Sequence, residues 1–269
     1  RIVANRIMLN GFTNLKNASG ADFGERMLNK VASESIRHLF SKSESVEVSI
    51  RCSPSSKLLQ GSLDSFKMGG RGLLIRHDFW VEEMRFETDA VAIDFGSVLS
   101  GKIRLKQPTQ AIAQVTLTEA GINEAFKSEL VVKRLQNVTE PALMNLSGGE
   151  PVSFSDIALK LMPNNRIQIF AEALLPNNTI PVSMTATLEI ERRRRVAFQN
   201  PQFEPDAVPE DLRGISEVLT MAFAEILDNM VDLDRFNLDG ILLRINRLET
   251  QGEQLIFSGY AQIDRFPDV

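Results

Sequence analysis

Two histidines, one cysteine, a glycine cluster and a run of four arginines are the residues whose types invite chemistry. His38 falls on a helix face and His77 in a loop, and their spacing suggests no metal site. Each reads as solvated surface. Cys52 continues the apolar face of an alternating strand, so it reads as a buried structural thiol rather than a nucleophile. A single cysteine excludes an intramolecular disulfide and any cysteine-rich zinc site. The glycines of GGRG at 69–72 would need a following helix to cradle a phosphate, and no long amphipathic helix follows them. Pairs such as Glu82–Glu83 are those of an ordinary solvated surface. These residues supply no catalytic group, metal site or cofactor site, and a protein without enzymatic activity is expected.

Arg192, Arg193, Arg194 and Arg195 continue the alternating segment TATLEIE. One reading is a solvated strand end or turn. The other is a docking spot for phosphate headgroups, because guanidinium forks bind phosphate and basic clusters are drawn to anionic membranes. Glu189 and Glu191 dilute that second reading.

Net charge is −5, which gives no hint of a nucleic-acid partner. Sixteen phenylalanines against one tryptophan (Trp80) and one tyrosine (Tyr260) suit a greasy interior, since Phe needs no polar partner. The longest apolar runs, such as Met221–Ala224, are far too short for a membrane span. Asn5 and Arg6 stand where a signal peptide needs its apolar core, so the expectation is a cytoplasmic protein, peripheral at an anionic membrane on the sharper arginine reading.

The element that organises the rest is Glu210–Leu233. Its apolar residues recur every three or four positions, forming one stripe along a helix of roughly 36 Å. Pro209 and the acidic pair Glu210–Asp211 suit its start. An earlier helix is predicted over Asp22–Phe40. Between the two, period-2 alternation predicts strands: 46–52, a pair about a Gly69–Gly70 turn, 79–88, 91–95, 102–106 and 111–117. A helix over 119–135 and a loop over 137–151 follow. Further strands are read at 152–161, 166–175, 180–192 and 196–198, and a hairpin at 236–247 and 254–263. The triplet PNN at Pro163 and Pro176 marks two turns of a meander. The order is helix, strands, long helix, hairpin, and it argues for an α+β fold with an antiparallel sheet. Residues 1–20 read as an arm and 21–267 as one domain.

VEVSIRCSPSSKLLQGSLDSFKMGGRGLLI and FETDAVAIDFGSVLSGKIRLKQPTQAIAQVTLTEAGINEAF resemble the LmeA-like phospholipid-binding proteins. The closing FNLDGILLRINRLETQGEQLIFSGYAQIDRFP resembles the version typical of cyanobacteria. The family is similar to the tubular lipid-binding (TULIP) superfamily. The resemblance therefore implies a strongly curved antiparallel sheet wrapped around the long helix, leaving an apolar tube for a phospholipid or similar amphiphile. It brings no catalytic residues. The side chains expected to line the tube are Met27, Val31, Ile169, Val182, Met184, Leu219, Phe223, Ile226, Met230 and Phe257. A solidly packed structural or protein-interaction module has the same periodicity, so pattern alone leaves both open.

Overall fold

The structure, a computed structural model, describes residues 20–232 and 240–266. The arm at 1–19, the last position of the expected long helix (Leu233) and the first positions of the final hairpin (236–239) lie outside them. Helix α1 is Gly20–Arg37, followed by β1 Ser45–Arg51, α2 Ser56–Leu59, β2 Ser62–Leu63, β3 Ser65–Ile75, β4 Phe79–Thr88 and β5 Val91–Ala92. Next come α3 Phe95–Leu99, β6 Thr109–Thr118, α4 Glu119–Ala125, α5 Glu129–Leu135 and α6 Pro141–Leu146. The second half holds β7 Ser153–Leu161, β8 Arg166–Leu174, β9 Thr179–Glu191, β10 Arg195–Phe203, α7 Arg213–Asp228, β11 Ile241–Gln251 and β12 Gln254–Ile263.

The fold is α+β with antiparallel pairing throughout the named ladders. The strands form a six-stranded sheet (β1-β3-β4-β6-β12-β11), a four-stranded sheet (β10-β9-β8-β7) and a short β2-β5 pair. Each larger sheet buries one face. Along β8, Ile167, Ile169, Ala171 and Ala173 are buried while Arg166, Phe170, Glu172 and Leu174 are exposed, the alternation expected when one face meets the core. The buried apolar residues of both sheets and of helices α1 and α7 join in one cluster.

Open sheet edges invite aggregation, and here other parts of the chain cover them. On β7, Asn123 of α4 accepts from Leu159 N–H at 2.7 Å and donates to Leu159 C=O at 3.0 Å, while Glu119 accepts from Leu161 N–H at 2.9 Å. On β10, Asp228 accepts from Phe198 N–H and Val231 C=O accepts from Val196 N–H. The edge of β11 meets the other sheet's turns. Arg193 C=O accepts from Ile245 N–H at 2.7 Å, and Asn165 bonds to both Thr250 N–H and Leu248 C=O. The first PNN triplet is thus a joint between sheets, its two asparagines in the left-handed conformation that this residue tolerates.

Several expectations need correction. Gly69 and Gly70 lie inside β3, paired with β1 on one side and β4 on the other; the turn is at Arg76–His77, both at positive φ. A Cβ at Gly70 would come within 2.9 Å of the Leu73 side chain, which would have to shift to admit it. Residues 102–106 form no strand, only an Ile93–Leu105 bridge, because Asp94 caps α3 by accepting from Gly96 N–H. The helix expected over 119–135 is two, since Ser128 caps a fresh start at Glu129. Pro141 opens a helix inside the expected loop. The organising helix is shorter than its apolar stripe: 210–212 are a 3₁₀ turn and α7 has 16 residues.

Candidate lipid-binding layers

Two helix-on-sheet layers are the places where an apolar ligand could be held. The first is built by α1, whose Leu28, Ala32 and Ile36 recur every four residues and bury one face against β1. Asn29 accepts from the Ile50 N–H of this edge strand at 2.9 Å. Beneath the helix lies an apolar cavity of about 10 Å³. Leu28 of α1 lines it together with Ile50, Phe66 and Ile263 of the six-stranded sheet and with Leu63, Val91, Ile93 and Ile103. Thr88 and Thr109 also face it, and their hydroxyls bond to each other at 3.3 Å, leaving the surroundings apolar. Such a volume is about that of one water probe. Ligand pockets run to roughly 300–1,000 Å³, so an acyl chain would have to open this one.

Between α1 and β1, an open groove of about 410 Å³ is lined by Glu25, Asn29 and residues 48–53, Cys52 among them. The thiol is buried and donates to Ser62 C=O at 3.3 Å. Burial, with the Asp64 carboxylate adding to it, pushes the thiol pKa above its ordinary value. The thiol lies one residue past the end of β1 and is buried, as its place on the apolar face of the alternating segment predicts.

The second layer is α7 on the four-stranded sheet. Leu219 and Phe223 are fully buried and Ile226 nearly so. The Phe223 ring meets that of Phe154 at 4.8 Å. Ile169 and Met184 are direct cross-strand partners, and Val182, two residues before Met184, shares their buried face. Polar ties clamp both helix ends. Ser216 donates to Pro181 C=O at the start; Asp228 accepts from Phe198 N–H at 2.8 Å and pairs with Arg195 at the end. Asp228 is half-buried, and its carboxylate serves the β10 edge.

The ten expected lining residues do not form one group. Ile169, Val182, Met184, Leu219, Phe223 and Ile226 belong to the α7 layer; Met230 lies half-buried beyond that helix. Met27 and Val31 are half-buried on α1, and Phe257 is buried on the inner face of β12. None lines the 10 Å³ cavity. Sequence reading passed over the residues that do, because Ile93 and Ile103 fall in segments read as ordinary alternating strands, where nothing marks a side chain as lining a space.

The four arginines span the β9–β10 turn, with Arg192 and Arg193 at positive φ. Arg195 pairs with Glu191 and Asp228. Arg193 lies 5.9 Å from the centre of the Tyr260 ring and bonds to its hydroxyl. Arg192 is exposed. His38 and His77 are both exposed, and among the described residues no cluster of His, Cys, Asp and Glu could hold a metal ion. Among them, too, no helix is long and apolar enough to cross a membrane.

No curated protein and no solved structure matches the chain. The family model described as LmeA-like phospholipid-binding matches residues 20–259, nearly the whole chain, and the protein belongs to that family.

Proposed function

We propose that the protein binds one phospholipid by sheltering an acyl chain between α1 and the six-stranded sheet, and carries it without acting on it chemically. The observation that supports this reading is the cavity, lined almost wholly by apolar side chains and covered by Leu28 of α1. Met27 and Val31 would flank the opened site. The α7 residues Leu219, Phe223 and Ile226, with Ile169, Val182, Met184, Met230 and Phe257, are the rival lining. Their near-complete packing and the two clamped ends of α7 make that layer the costlier one to open. The curved wrap of the tubular lipid-binding proteins would be met by joining the two sheets through the contacts of β11 with Arg193 and Asn165.

Burying a chain contributes about 0.8 kcal/mol per methylene, which can offset the displacement of a helix. Native mass spectrometry of protein purified without detergent tests the reading. A retained mass equal to one phospholipid is expected, and repeated lipid-free preparations that take up none would sink it. The small cavity volume favours a second reading, a packed module that binds a protein partner; it predicts a thermal transition indifferent to added phospholipid. Contact of Arg192–Arg195 with an anionic membrane is a separate proposal. A headgroup there would compete with Asp228, Glu191 and Tyr260, and vesicle binding unchanged by Arg→Gln at all four would remove it.

A further inference from the structure

We infer that the end of the molecule built by α2, α3 and the loop 100–106 docks on an anionic lipid membrane and is the mouth through which an acyl chain reaches the α1 cavity. The inference rests on the lipid-binding reading above and adds a place and a surface chemistry to it. Topology brings the parts together. Strands β2 and β5 pair antiparallel, Ser62 with Ala92, so the helix just before β2 and the helix just after β5 emerge at the same end. Gly61 C=O accepts from Ile93 N–H at 2.8 Å, and the Lys106 ammonium donates to Gln60 C=O at 3.1 Å, which ties the loop to α2.

Each short helix ends with one apolar side chain turned in and the next turned out. Leu58 is buried and Leu59 is 73% exposed; Val98 is buried and Leu99 is 67% exposed. Phe23, on the first turn of α1, is 59% exposed, and a Cβ on the neighbouring Gly24 would meet the Leu58 side chain. Scattered exposed leucines are ordinary. These two stand apart because the same segments supply Leu63, Val91, Ile93 and Ile103 to the lining of the cavity.

Charge selects the partner. In a chain of net charge −5, the segments 57–64 and 94–106 carry Lys57, Lys102, Arg104 and Lys106 against Asp64 and Asp94. The Lys57–Asp64 pair cancels and Asp94 serves as the α3 cap, so the positive excess is that of Lys102, Arg104 and Lys106. Apolar side chains projecting from a cationic rim fit headgroup phosphates over an acyl interior. They do not fit an acidic polypeptide as well, which would leave the leucines in water.

The test is co-sedimentation of the full chain with vesicles of equal parts phosphatidylcholine and phosphatidylserine, beside uptake of a short-chain phosphatidylcholine supplied as monomers. Leu59→Ser/Leu99→Ser should cut vesicle binding roughly tenfold or more. Its thermal transition and its monomer uptake should stay in place, because both side chains are exposed. Lys102→Gln/Arg104→Gln should cost roughly 20–30-fold and flatten the salt dependence. Vesicle binding that survives both changes, or that is lost instead in Arg192→Gln/Arg194→Gln, overturns the docking end. So does a wild-type chain that ignores these vesicles at low salt. Vesicle binding lost in the variants, with no monomer uptake by any form, keeps the docking end and removes the acyl-chain cavity.

Discussion

Helices α1 and α7 lie on two sheets in the same general way, yet they are held very differently. Helix α7 is sealed by Phe223 and Leu219, and polar bonds fix its start at Pro181 and its end at Phe198. Helix α1 exposes Phe23, half-buries Met27 and Val31, and covers a small void. The amide of Asn29 ties it to the sheet edge. The contrast teaches that length and amphipathic strength do not identify the core layer: α1 is the longer and more amphipathic helix, α7 the more apolar one. The more apolar helix makes the better core. A site that must open is better built from the less apolar one, since mobile elements come from the low-stability end of a structure.

The largest effect should come from the clamped layer. Phe223→Ala removes a fully buried ring stacked on Phe154 and should cost about 3–5 kcal/mol in denaturant unfolding. Ala222→Phe in the same helix should strain its buried surroundings by about 1–3 kcal/mol while lipid uptake by the folded fraction is unchanged. A variant of unaltered stability with reduced uptake would reverse the comparison and make α7 the ligand helix. Asp228→Ala should cost about 1–2 kcal/mol, a charged hydrogen bond discounted for the one-third exposure of its partners.

Smaller effects should come from α1, and they should appear in function rather than stability. Asn29→Ala removes one edge bond, worth about 1 kcal/mol, and should speed lipid uptake by loosening the roof. Cys52 reports on that motion. Its raised pKa means that less thiolate is present at any given pH than for a free thiol, so its alkylation should be slow and should rise only at higher pH. Added phospholipid, or Asn29→Ala, should accelerate alkylation if α1 moves. A rate indifferent to both would leave α1 as fixed as α7.

How much of this could be read from the sequence depended on how local the cause was. Strand β4 was legible at both ends, because alternation over Phe79–Thr88 is settled by its own residues. The end of α7 was not. Its apolar stripe continues past Asp228, but the helix stops where that carboxylate turns to a backbone donor of β10, thirty residues earlier in the chain. The same holds for Gly69–Gly70, whose turn signal is overridden by strands pairing on both sides. The α1 cavity is the extreme case. It is a difference in volume among side chains from α1, seven strands and the segments between and after them, and an apolar period is the same whether such a space is filled or not. The cationic leucine end likewise becomes visible only when the β2–β5 pairing places two distant short helices side by side.

The claim that α1 roofs the acyl chain is tested most directly by photo-crosslinking with a phosphatidylcholine carrying a diazirine near the end of one acyl chain. The wild-type chain would be loaded with this lipid, irradiated and mapped by peptide mass spectrometry. Crosslinks are predicted at Leu28, Phe66 and Ile263, around the cavity. Crosslinks confined to Phe223, Ile226 and Met184 would contradict the account and place the lipid under α7.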